Sequence, residues 1–150
     1  MAVLKNHRTE SSVQFLDTAM KLEIFTIKQC VKFPKRYTHF ISNQLVELAV
    51  EIFNDVKRAN SVFLDKLEAF ELRTQYISRA ERNLQCLISQ LSIAKEIFGN
   101  EKKVKQDGTE SSTPMCSQHS WIEWNDLIIE EIRLLGNLKK SDKERKKKFN

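Results

Sequence analysis

The chain of 150 residues holds only 3 glycines and 2 prolines. Tight turns consume both residue types. An all-β sandwich or a doubly wound sheet is therefore disfavoured, and so is a glycine-rich phosphate loop. No apolar run approaches the roughly 18 residues that cross a bilayer, and Met1 to Glu10 lacks the apolar core of a signal peptide, so no membrane role is expected. The 3 cysteines, Cys30, Cys86 and Cys116, are odd in number, widely spaced and free of any CxxC pair. That usage points to unpaired thiols in a reducing, cytoplasmic setting. Catalytic signatures are missing as well. HExxH, GxSxG and GxxxxGKS do not occur, and neither does the Glu-x-x-His of di-iron helices. No enzyme and no cofactor is expected. Cys116 and His119 have the spacing of two zinc ligands, but two further ligands are lacking nearby, so no metal site is expected either.

What is present is helical periodicity, in four segments. The first runs from about Ser12 to Phe33, with Val13, Leu16, Met20, Ile27 and Val31 as its stripe. Phe15, Ala19, Leu22, Ile24, Phe25 and Cys30 widen that stripe and suggest more than one neighbour. Ser11 or Ser12 would cap it, and Pro34 closes it, because the residue before proline is pushed out of helical geometry. The second runs from about Thr38 to Val62 through Ile41, Leu45, Leu48, Ile52, Val56, Ala59 and on to Phe63. The third runs from about Lys66 to Phe98. Its seam is Phe70, Arg73, Ile77, Ala80, Leu84, Leu87, Leu91, Ala94 and Phe98, a heptad-like alternation with one charged member. Residues 99–117 are polar and aperiodic and read as a long mobile loop. The fourth segment runs from about Gln118 to Leu138, with Trp121, Trp124, Ile128, Leu135 and Leu138 on one face. The fold expected is all-α: an antiparallel up-and-down four-helix bundle over residues 12–138, a flexible N-terminus over 1–11 and a basic C-terminal tail over 139–150.

Net charge is +5, and all of it sits in that tail, where Lys139, Lys140, Lys143, Arg145, Lys146, Lys147 and Lys148 face only Asp142 and Glu144. The rest of the chain is balanced, so an anion-binding surface on the body would have to come from segregated charges. Candidates there are Lys35 and Arg36 after the first helix, Lys57 and Arg58 at the end of the second, and Arg79 and Arg82 on one side of the third. Arginine forks match phosphates and carboxylates equally well. Glu47 and Glu51 on the second helix, or Glu130 and Glu131 on the fourth, could absorb the third-helix arginines, and Arg73, which lies on the seam, is expected to be ion-paired. Trp121 and Trp124 suit a base-stacking platform or a packed core, and the core is the commoner use of such a pair. Tyr37, His39 and Phe40 interleave with Lys35 and Arg36 in a way that suits an unpaired base or plain turn packing.

The segment Phe33-Pro34-Lys35-Arg36-Tyr37, with Gln44, Ala49 and Ile52 after it, resembles the FP…Y…Q…A…I pattern of a bacterial four-helix-bundle family. That family comprises proteins encoded in 23S ribosomal RNA intervening sequences and the accessory variability determinant of diversity-generating retroelements. Ala80, Leu84, Leu87, Gln90, Leu91 and Ala94 resemble its third-helix signature. The chain departs from the family at Glu47, where a basic residue is usual. It departs again at Asp55, Val56, Lys57, Arg58 and Ala59, where the family ends its second helix with Asn-Ile-Ala-Glu-Gly. The resemblance implies a homo-oligomer, commonly a pentamer, and in the retroelement branch a partner reverse transcriptase and bound nucleic acid. The function expected is therefore a non-enzymatic accessory protein of a mobile element that binds RNA or DNA. A homo-oligomeric interaction scaffold without nucleic acid is the alternative.

Overall fold

The structure is a computed structural model. It describes the backbone of residues 2–98, 102–104, 108, 110–114 and 116–149, and the side chains of 13–98, 108 and 116–149. Four long helices carry the chain: α1 (Ala2–Cys30), α2 (Asn43–Ser61), α3 (Leu67–Phe98) and α4 (Gln118–Lys147). A 3₁₀ turn at Lys35–Tyr37 and a π turn at Thr38–Ser42 join the first two. No helix among the described residues is long and apolar enough to cross a membrane.

Four boundaries differ from the sequence reading, one being the start of α2 at Asn43, not Thr38, because Thr38–Ser42 forms the π turn. Helix α1 begins at Ala2, not near Ser12, because neither glycine nor proline interrupts residues 2–30 and Ser11 and Ser12 lie inside the helix. Helix α4 continues to Lys147, nine residues past Leu138, so most of the basic tail is helical. The 99–117 connection is not wholly irregular: β1 (Lys102–Val104) pairs antiparallel with β2 (Glu110–Pro114). Gly108 between them has φ +88°, the left-handed region that favours glycine.

The helices neighbour one another in a cycle: α1 with α2, α2 with α3, α3 with α4, and α4 with α1. Their shared core is mainly apolar. Every expected seam residue of α3 is buried, including Arg73. In α4, Trp121, Trp124, Ile128 and Leu135 are buried. In α2 the buried set is Leu45, Ala49, Ile52, Asp55, Val56 and Ala59. Each fully buried Leu, Ile or Phe side chain contributes about 1.5–3 kcal/mol.

Specific contacts define which ends meet. Phe33, just past α1, stacks on Phe98 at the end of α3 (4.4 Å between ring centroids) and lies 6.2 Å from Trp121 at the start of α4. The Trp124 indole N–H donates to Thr26 Oγ1 at 3.0 Å. Cys116 Sγ donates to Gln29 Oε1 at 3.7 Å. At the other end of the molecule Phe70 of α3 meets Phe149 edge-on at 5.3 Å. The two tryptophans are thus core anchors, stacked on each other at 5.8 Å, and neither offers a base-stacking platform.

Helix α1 has two apolar faces, and the core takes the flanking residues other than Ile24, with Leu16 alone from the expected stripe packed against it. Phe15, Ala19, Leu22 and Cys30 are buried, whereas Val13, Met20, Ile24, Ile27 and Val31 face outward. Hydrophobic spacing sets how a stripe runs along a helix. It does not say which of two stripes the neighbours cover.

Candidate nucleic-acid interface

Helix α3 rises by about 1.5 Å per residue, so Phe70 and Phe98 lie about 40 Å apart. The cationic residues divide between those two ends. Lys35 and Arg36 sit in the 3₁₀ turn at the Phe98 end, where Tyr37 packs edge-on against Phe98 at 5.0 Å. The Arg36 guanidinium lies over the Tyr37 ring at 5.0 Å. His39 and Phe40 beside them are exposed. The remaining candidates run from the middle of α3, at Arg79 and Arg82, to the opposite end, where α2 and α4 finish and α3 begins.

Two of those arginines are committed to a buried acid. Arg58 Nη1 donates to Asp55 Oδ1 at 3.0 Å, and Arg79 Nη1 approaches the same oxygen at 3.4 Å. Asp55 is buried and ties the end of α2 to α3. Arg79 also lies 5.8 Å from the Tyr76 ring centroid. Lys57 is exposed, 6.0 Å over the Phe53 ring. Arg82 is exposed and has no ion-pair partner among the described residues.

The basic segment of α4 is fastened to α3 by two contacts. Lys139 Nζ donates to Glu81 Oε1 at 2.9 Å. Arg73 Nε lies 2.9 Å from Asp142 Oδ2, with side-chain exposures of 11% and 5%. That N–H is not aimed at the oxygen, so the contact is chiefly charge attraction without a well-formed hydrogen bond. Burial pushes the Arg73 guanidinium below its ordinary value, against the pull of Asp142. Burial likewise pushes the Asp142 carboxyl up, against the pull of Arg73 and Arg145. Desolvation is the larger effect on both partners, as expected for an ion pair removed from water. Arg73 is therefore paired as expected, but with Asp142. Glu47 and Glu51 are exposed, Glu130 receives Arg133 Nε at 3.0 Å, and Glu131 has no partner among the described residues.

Around this anchor lies a cleft of about 280 Å³ between Phe70 and Thr74 of α3 and Lys139, Lys140, Asp142, Lys143 and Lys146 of α4. Lys146 lies 3.9 Å from Glu71, and Lys147 donates to Glu144 at 3.4 Å, both near the surface. Such exposed pairs are weak and exchange readily for a phosphate. Lys140, Lys143 and Lys148 have no acidic partner among the described residues, and Arg145 is exposed nearby.

Three buried acids escaped the sequence reading: Asp55, Glu131 and Asp142. The signal was legible. The buried face of α4 steps through Ile128, Glu131, Leu135 and Asp142 at three, four and seven residues. An acid on a core register must be neutral, paired or functional. Glu131 is neutral: burial, with Glu130 beside it, pushes its carboxyl from 4.5 up to about 8. Cys116 and His119 diverge. The thiol is buried against Gln29, while the imidazole is exposed with Nε2 3.8 Å from Glu123. Comparison with protein-family models, curated proteins and solved structures returns no match.

Proposed function

We propose that this chain is a non-enzymatic nucleic-acid-binding protein, built as an antiparallel up-and-down four-helix bundle with its cationic end as the binding surface. The observation that carries this reading is the fastening of the basic segment. Arg73–Asp142 and Lys139–Glu81 hold the end of α4 on α3, so that Lys140, Lys143 and Lys148 extend from a fixed helix end. A pre-ordered array of cations binds a phosphate backbone without first losing the entropy of a floppy tail. Phosphate contacts position a strand but do not specify its sequence, so recognition is charge-driven and weakly selective. The setting is the one the family resemblance implies, a mobile element in which RNA or DNA and a reverse transcriptase are the partners. A cytoplasmic location suits the free thiols of Cys30, Cys86 and Cys116.

The test is a salt titration of RNA binding by fluorescence anisotropy, comparing the native chain with K140Q/K143Q/K148Q. Each lost phosphate contact lowers the slope of log K against log salt by about 0.7 for a single strand. The triple variant is expected to lose about 2 from the slope. A native slope that the triple variant reproduces would remove the α4 end from the interface.

A second reading, compatible with the first, is self-association through α1, and its support is the outward stripe. Val13, Met20, Ile24, Ile27 and Val31 follow steps of seven, four, three and four on a face turned away from the core, and Val31 is 77% exposed. An uncovered seam of this kind suits a helix partner. The resemblance makes that partner another copy, in a ring of five. Sedimentation of the native chain and of I24E tests it. A native monomer at micromolar concentration rules out the homo-oligomer.

A further inference from the structure

At the turn between α2 and α3 the chain leaves the helix abruptly. Val62 is extended (φ −74°, ψ 124°), and its N–H still reaches Ala59 O at 3.3 Å. The next residue, Phe63, continues the seam of α2 by spacing and would be a core residue in a longer helix. The break swings it outward instead, to 81% exposure. It borders a cleft of about 520 Å³ whose apolar wall is Val62, Leu72 and Tyr76. Lys57 and Lys66 stand on its rim with no acidic partner among the described residues. Arg58 beside them is held by Asp55. Asp65 and Glu68 are also on the rim and offer acceptors for amino or hydroxyl groups.

An exposed ring, an apolar slot and two rim ammonium groups match the parts of one nucleotide, namely a flat base, its sugar and the flanking phosphates. We infer that this cleft seats an unpaired nucleotide of a single-stranded nucleic acid, with its base stacked on Phe63 and its phosphates against Lys57 and Lys66. The inference rests on the nucleic-acid reading above and adds to it a preference for single strands. A base inside a duplex is stacked on both faces and cannot enter. The occupant is chosen by its mixed chemistry: Lys57 and Lys66 complement phosphate oxygens, Asp65 and Glu68 complement amino and hydroxyl groups, and the ring and apolar wall between them complement a base, whereas an apolar side chain would leave all four charges unused. Leu72 and Tyr76 lie near the start of α3, as do Phe70 and Thr74 of the α4 cleft.

Phe63 touches little of the core, so F63A preserves the fold, and F63W restores a ring. The probes are a single-stranded RNA carrying one 2-aminopurine and a blunt RNA duplex of equal phosphate number, both titrated with the full chain. F63A is expected to weaken the single strand about tenfold and leave the duplex unchanged. That factor corresponds to about 1.4 kcal/mol, within the range for one stacked base. The native chain and F63W, but not F63A, are expected to quench the 2-aminopurine emission. Equal binding of both RNAs by F63A and the native chain would overturn the nucleotide seat and leave charge-driven binding standing. Failure of the native chain to bind either RNA would overturn the nucleic-acid reading together with the seat.

Discussion

Glu131 makes the folded protein take up a proton, and this can be measured. Its carboxyl is fully buried with both oxygens unpartnered among the described residues, and its pKa rises from 4.5 to about 8. Because the folded pKa lies above the unfolded one, the folded state binds the proton more tightly between those values. Stability is then highest below about pH 4.5 as far as this group is concerned, and it declines as pH rises toward 8. Each pH unit of that interval is worth about 1.4 kcal/mol, so the full effect is bounded at about 5 kcal/mol. E131Q keeps the shape and removes the titration. Urea unfolding at pH 5, 6, 7 and 8 is measured for both proteins, and the difference between them cancels every other titrating group. The native chain is expected to lose about 3–4 kcal/mol relative to E131Q between pH 5 and 8. A difference that stays constant with pH would refute the claim that this carboxyl is buried and neutral. E131L, which fills the site with hydrocarbon, is expected to exceed the native stability at pH 8.

Four other outcomes follow from the packing. D142A leaves the Arg73 guanidinium buried without its counter-charge and is expected to cost about 3–5 kcal/mol in urea unfolding, while R73M/D142L recovers most of that loss. T26V removes the acceptor of the buried Trp124 indole N–H and is expected to cost about 1–3 kcal/mol, visible also as a shift in tryptophan emission. G136A is expected to stabilise α4 by about 1 kcal/mol in thermal unfolding, since a methyl group there meets nothing within 4 Å and glycine is costly inside a helix. Of the three thiols, Cys86 is exposed, whereas burial raises Cys30 to about 12 and Cys116 above its ordinary value. A thiol reagent at pH 7.5 is expected to modify one cysteine rapidly in the folded chain and all three in denaturant, as read by mass spectrometry.

Sequence alone determined the number and type of the long elements. The three-and-four alternation from Phe70 to Phe98 named every buried residue of α3 except Ala69, and the core role of Trp121 and Trp124 followed from their spacing with Ile128 and Leu135. It also located the excess charge and required a partner for Arg73. Local periodicity and composition carry that information because a helix must bury whichever stripe is apolar.

Only the tertiary structure decided which of two apolar faces on α1 turns inward. It alone gave Arg73 to Asp142, joined Arg58 and Arg79 on one carboxylate, and set Lys35 and Arg36 at the Phe98 end of α3, away from the basic segment of α4. It also turned Phe63 from a seam residue into an exposed ring. The physical reason is the same in each case. Ion pairs and clefts between helices depend on how rods are set beside one another, and that arrangement belongs to contacts between residues tens of positions apart.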